Sequence, residues 1–363
     1  MTIRLTHGRQ QTFRYRHADI TIRGNIDAMA FPVGATFALN GGSKRELYVE
    51  QEKDPGIDWV NAYKASPAEL RCRDQGEFCV EIAMDDDALI AGDNHVTINV
   101  VDSDGRTTEA AMRFRWNPEP LPLPLDISDL SRFSDIQEVG QSVNGAFDLD
   151  HDLNVIRSRS PVAPDALLVI GSPHASQEAT YAIRFLETAG SKWLGCGDFF
   201  AGLTEGVPPR GIKVGWNSAG MAALSPIDGA RSFIAWGDHS GDPREWAIAT
   251  HPASPFAVER NVLYRVRQQV VLTPECDRVR WRIWQDGTVE PDAWLCQEDT
   301  GKLPPELPRH GAASFALFQH LGHSIEWSDI VIRACEPSTQ ETPCSDGTGS
   351  REPFLKRQRP GAF

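Results

Sequence analysis

Between Arg278 and Cys335 apolar side chains recur at every second position, and this period constrains the chain more than any other feature of its sequence. Val279-Arg280-Trp281-Arg282-Ile283-Trp284 and Ser314-Phe315-Ala316-Leu317-Phe318 both alternate as half-buried antiparallel strands do. Between them stand Gln285-Asp286-Gly287, whose Asp-Gly pair supplies the positive φ a short reversal needs, and an acidic, proline-rich excursion. The pattern predicts a large β-sandwich and leaves the chemistry open.

The same period runs through most of the chain. Thr12-Phe13-Arg14-Tyr15, Ile20-Thr21-Ile22, Phe78 to Ile82, His95 to Val101 and Ala110 to Trp116 read as short strands, separated by turns such as Asn40-Gly41-Gly42 and Asp102-Ser103-Asp104-Gly105. Asn117 to Pro124 then holds four prolines in eight positions, which favours an extended spacer whose leucines can lie on a neighbouring surface. Beyond it, Ala166 to Gly171 reads as a buried strand, and Ala179 to Phe185, Tyr264 to Leu272 and Val279 to Trp284 alternate. Gly195 to Gly220, rich in glycine, reads as loops. The expected organisation is all-β: a sandwich over residues 1–117, a linker over 118–125, a larger sheet structure over 126–336 and a polar tail over 337–363.

At 363 residues with 40% hydrophobic content, the chain can bury two cores. A net charge of −14 argues against nucleic acid and anionic membrane surfaces, both of which need a basic footprint. There is no run of about 18 apolar residues, and Met1-Thr2-Ile3-Arg4 lacks the apolar core of a leader. The expectation is a cytoplasmic protein as given, or a periplasmic or secreted one if a leader has been removed. Seven cysteines cannot all pair with one another. Cys72 with Cys79, across a hairpin, and Cys335 with Cys344, around a polar stretch, are the candidate bridges; reduced thiols are the other reading.

Phe37 to Gly42, Gly76 to Ile82 and Leu89 to Gly105 resemble the bacterial immunoglobulin-like modules that precede carbohydrate-active domains. Arg278 to Trp294 and Gly311 to Ile332 resemble the final strands of concanavalin A-like, laminin-G-like jelly-rolls, most nearly those of the 3-keto-disaccharide hydrolase type. The resemblance implies an immunoglobulin-like sandwich followed by a larger concanavalin A-like jelly-roll. It also implies a carbohydrate-active enzyme that cleaves a glycosidic bond in an oligo- or polysaccharide by acid-base chemistry. The alternatives are a noncatalytic glycan-binding protein, a polysaccharide lyase acting on an anionic glycan, and an anchoring or assembly protein. The Glu-x-Asp-x-x-Glu strand of family 16 glycoside hydrolases and the Gln-x-His strand of lyases of this fold are both missing, so neither mechanism carries over residue by residue.

Candidate site residues follow from chemistry. The stretch from Trp236 to Trp246 offers aromatic rings for sugar C–H faces and polar groups for hydroxyls, with Trp236, Asp238, His239 and Trp246 as the binding candidates. If Trp281 and Ile283 point inward, Arg280 and Arg282 point outward beside Arg265, Arg267 and Gln269. That arrangement gives either an anion-binding face or a surface paired with carboxylates. Asp286, Glu290 and Glu326 are the acids nearest the aromatic strands, and His320 and His323 add possible proton carriers beside Glu326. The catalytic candidates are therefore Glu326, His320, His323 and Asp286. No cofactor is required; a structural calcium, with Asp329 as a candidate ligand, is implied by resemblance only.

Overall fold

A computed structural model describes residues 1–14, 19–27, 34–51, 72, 75–119, 121–159, 165–174, 176–186, 193–200, 217–225, 231–238, 246–253, 258–272, 277–299, 313–320 and 324–335. The described residues up to Trp116 form eight strands: β1 (Thr2–Leu5), β2 (Gln10–Phe13), β3 (Asp19–Asp27), β4 (Gly34–Leu39), β5 (Arg45–Glu46), β6 (Glu77–Ala83), β7 (Gly92–Val101) and β8 (Thr107–Trp116). They form a three-stranded sheet, β1-β3-β6, and a five-stranded sheet, β2-β8-β7-β4-β5. Ile20, Ile22, Phe78 and Val80 of the first sheet share one core with Phe13, Val96, Ile98 and Phe114 of the second. Gly24 allows the smaller sheet to close, since a Cβ there would lie 2.4 Å from the Phe78 ring and 2.5 Å from the Arg4 carbonyl.

Among the described residues the chain continues with β9 (Leu125–Asp126), a 3-10 turn (Leu130–Arg132), a one-turn helix α1 (Ile136–Val139), β10 (Gln141–Asn144), β11 (Phe147–Asp150), β12 (Val155–Ser158), β13 (Asp165–His174) and β14 (Ser176–Phe185). They continue as β15 (Trp193–Phe200), β16 (Asn217–Ser225), β17 (Arg231–Asp238), β18 (Trp246–Ala253) and β19 (Leu263–Leu272). The last four are β20 (Asp277–Gln285), β21 (Cys296–Asp299), β22 (Ala313–His320) and β23 (Ile325–Ala334). A seven-stranded sheet runs β10-β13-β22-β15-β16-β17-β18; an eight-stranded sheet runs β11-β12-β23-β14-β19-β20-β21, with β9 added beside β23.

These two sheets face each other over a second core. Leu168, Ile170, Phe315 and Leu317 from the seven-stranded sheet meet Tyr181, Ile183, Tyr264, Trp281 and Trp327 from the eight-stranded one. The Tyr181 and Phe315 rings lie 5.7 Å apart across the interface. The two strand patterns that flank Asp286-Gly287 in sequence, β20 and β22, thus belong to opposite layers. Gly287, at φ +80°, turns the chain after β20, and the excursion brings it back as β21 on the edge of the same sheet.

The run Ala166 to Ile170 is apolar throughout because β13 is covered on both faces. Ala166, Leu168 and Ile170 face the shared core, and the alternate residues Leu167 and Val169 are buried as well. Leu121 and Leu123 of the proline-rich spacer pack against the second core. The expectation of loops from Gly195 to Gly220 fails at both ends, where β15 and β16 form a regular pair and Gly195 and Gly197 are ladder residues opposite Ala223 and Met221. Pairing on both sides fixes the backbone of β15 despite its glycines.

The two sandwiches meet along a polar seam. Arg14 donates to Glu138 at 2.5 Å, Arg23 to the Gly145 carbonyl at 2.8 Å, and Gln141 to the Asp19 carbonyl. His7 reaches into this seam, where Phe147 N–H approaches its Nε2 at 3.5 Å and the Gln137 amide lies 3.4 Å from its Nδ1. Loss of solvent, reinforced by Arg159 and Arg23, pushes the His7 pKa down to about 3.

Candidate functional site

Alternation on β19 and β20 sends Tyr264, Val266, Trp281 and Ile283 into the core and Arg265, Arg267, Gln269, Arg280 and Arg282 onto the outer face of the eight-stranded sheet. Register sets Arg267 directly opposite Arg282, and Gln269 opposite Arg280. Two guanidiniums in one cross-strand pair repel unless acids intervene. Glu290, from the excursion after β20, reaches back between them. It accepts from Arg267 Nε at 2.6 Å and lies 2.5 Å from Arg282 Nη2. Glu178 on β14 takes the other side of Arg267 and also accepts from the Gln269 amide. Arg267, with Arg282 behind it, holds the Glu290 carboxyl below its usual range, so this acid stays ionised.

Trp294 closes the cluster. Its ring centroid lies 4.7 Å from the Arg280 guanidinium carbon and 4.6 Å from that of Arg282, while Arg282 also donates to the Pro291 and Asp292 carbonyls at 2.7 and 2.9 Å. Arg280 donates to Gln269 at 2.7 Å. The indole is half-buried, held by its contacts and partly open to solvent. An aromatic ring beside fixed amide, guanidinium and carboxylate groups is the combination that receives a sugar's C–H face and its hydroxyls.

Glu326 lies in a different part of the same face. It is buried between two arginines, accepting from Arg157 Nη2 at 2.5 Å and from Arg184 Nη1 at 3.2 Å. Asp286 accepts from Arg265 Nε at 2.6 Å and Asp329 from Arg265 Nη1 at 2.7 Å, so one guanidinium ties the two acids. Glu326, Arg184, Leu263 and Asp286 occupy one cross-strand row. Three strand spacings separate the two acids, about 14 Å between backbones. Acid pairs that flank a glycosidic bond stand roughly 5 to 9.5 Å apart, so Glu326 and Asp286 do not form such a pair.

His320 ends β22, in register with Asp165 on β13 and Trp193 on β15. His323 lies outside the described residues. On the far side of the seven-stranded sheet, Trp236 pairs with Ala247, Asp238 with Asn217, and Trp246 with Gly237. Trp236 and Trp246 are therefore strand residues of the paired β17 and β18; His239 lies outside the described residues. The structure thus brings Arg280 and Arg282 together with Trp294, and places the Trp236–Trp246 segment in the other sheet. Asp329 has φ +52° and its carboxylate is engaged by Arg265. A guanidinium in that position does not suit a calcium ligand set, and no group of three or more metal-binding side chains occurs among the described residues.

Glu178, Arg157 and Arg184 were not expected as members of this face. Glu178 had a signal in hindsight: it precedes Ala179 and alternates with the inward Tyr181, so it had to face outward.

No profile of a known family matches the sequence, and no curated protein matches it. Among solved structures, a carbohydrate-binding module, CBM66, from Bacillus subtilis is similar at 9% identity and TM-score 0.34, over 53% of this chain and 94% of that one. A legume lectin-like domain from Entamoeba histolytica is similar at 8% identity and TM-score 0.36, over 55% and 92%. A GH131 beta-glucanase catalytic domain from Podospora anserina is similar at 10% identity and TM-score 0.30, over 59% and 93%. Likenesses of this size carry no argument about activity.

Proposed function

We propose that this protein binds glycans, through a concanavalin A-like sandwich whose binding face centres on Trp294. The carrying observation is the half-buried indole fixed against Arg280 and Arg282, beside Gln269, Glu178 and Glu290. These groups are held by one another, so a sugar would meet a surface ordered in advance, which lowers the entropy lost on binding. Binding without cleavage is favoured because a general acid must be protonated, whereas Glu290, the carboxylate between Arg267 and Arg282 on this face, is held ionised. The immunoglobulin-like assignment of the first sandwich belongs to the same proposal.

Cleavage of a glycosidic bond is the second reading, and the backbone register that sets His320 opposite Asp165 on one side and Trp193 on the other favours it, since these three residues share one cross-strand row. The two readings separate in one experiment. The full chain is incubated for a day at high concentration with a panel of polysaccharides, and retention and released reducing or unsaturated ends are both measured. The proposal expects retention without product; product release abolished by His320→Gln would establish the second reading in its place.

A further inference from the structure

The Trp294 face carries four arginines, and the way they are occupied bears on which glycan it takes. Arg267 is shared between Glu178 and Glu290; Arg282 is shared between Glu290 and the Pro291 and Asp292 carbonyls. Arg265 is shared between Asp286 and Asp329, and Arg280 lies against the indole with its Nε on Gln269. Three of the guanidiniums, those of Arg265, Arg267 and Arg282, therefore meet the four carboxylates of Glu178, Asp286, Glu290 and Asp329 on this patch, while that of Arg280 is stacked on the indole. The bidentate geometry by which arginine captures a uronate or sulfate is already used by Glu290 on Arg267, and Arg265 and Arg282 are engaged by the protein's own acids as well.

We infer that the ligand of this face is a neutral glycan, and that the face discriminates against uronated and sulfated ones. The inference rests on the glycan-binding reading above. An incoming anion would have to displace Glu290 or Glu178 from a guanidinium, or lie beside them as a like charge, on a chain whose net charge is already −14. A neutral sugar meets no such obstacle. Its hydroxyls can donate to the outer lone pairs of Glu178 and Glu290 while its C–H face covers the indole. The acids therefore act as built-in occupants that set specificity, and Glu290, which spans Arg267 and Arg282, is the principal one.

The test compares neutral probes (a β-1,3-glucan, a dextran and a galactomannan) with anionic ones (polygalacturonate and chondroitin sulfate) by affinity electrophoresis and titration calorimetry at 50 and 500 mM NaCl. The full chain is expected to bind at least one neutral probe with affinity changing less than twofold between the two salts, and to bind the anionic probes at least tenfold more weakly. Glu290→Gln, and separately Glu178→Gln, should raise affinity for polygalacturonate at 50 mM NaCl by about tenfold, and that gain should vanish at 500 mM, as a charge contact in water does. Circular dichroism confirms that each variant is folded. If the unaltered chain prefers an anionic probe in a salt-dependent way, the neutral-ligand inference falls while glycan binding stands. If neither the chain nor either variant retains any probe, the glycan-binding reading falls and takes this one with it.

Discussion

Glu326 shows how one side chain can have a mainly architectural task in a position that suggests chemistry. It lies on β23 between two inward residues, Ile325 and Trp327, and alternation turns it to the outer face. There Arg157 from β12 and Arg184 from β14 close on it from both neighbouring strands, so three strands are tied through one carboxylate. Removing the acid leaves two partly buried guanidiniums without it. Glu326→Ala should therefore lower stability by about 2 kcal/mol, the scale of a hydrogen-bonded charge lost from a partly buried pair. Chemical denaturation measures this directly, and glycan retention of the folded variant should be unchanged. Trp327, whose side chain is fully buried against Phe147, is the opposite case, an apolar anchor. Trp327→Ala should cost about 3 to 5 kcal/mol, readable as a lower denaturation midpoint.

Among elements, the β19–β20 pair and the excursion after it carry the site. The inward row of Trp281 and Ile283 and the outward row of arginines were legible because a period of two admits only two faces. The partners of those arginines were not legible. Glu178 lies 89 residues from Arg267 in sequence and Glu326 lies 169 from Arg157, and nothing local reports that distant strands will become neighbours. Glu290 was visible as an acid near aromatic strands, but its placement between Arg267 and Arg282 depends on how the excursion folds back. That return begins at Gly287, whose positive φ disfavours any residue with a Cβ. Gly287→Ala should destabilise the chain by about 1 kcal/mol and, by shifting Glu290 and Trp294, should weaken glycan binding more than stability, which parallel melting and titration would separate.

In the molecule as a whole, two cores are joined by a spacer whose leucines lie on the second core, and by a seam of hydrogen bonds in which Arg14 and Glu138 form one pair and His7 lies beside Arg23 and Arg159. That the chain is built almost wholly of strands was foreseeable from its two-residue period and turn spacing. The seam was not, because the polar residues that form it read as ordinary surface. The seam has a pH signature. The folded His7 pKa, about 3, is below the 6.5 of a free imidazole, so an unfolded chain binds the extra proton first. The contribution is therefore fully present above about pH 6.5 and declines as the pH falls toward 3. His7→Gln should flatten that part of the stability-against-pH curve, measured by urea titrations between pH 7 and pH 4.

The central claim, that the Trp294 face binds a glycan, is tested most directly by titrating the full chain and its Trp294→Ala variant with a neutral polysaccharide that the full chain retains. The account predicts that the variant stays folded and loses at least tenfold in affinity, the scale of one aromatic contact removed from a sugar face. Equal affinity in the two proteins would contradict it.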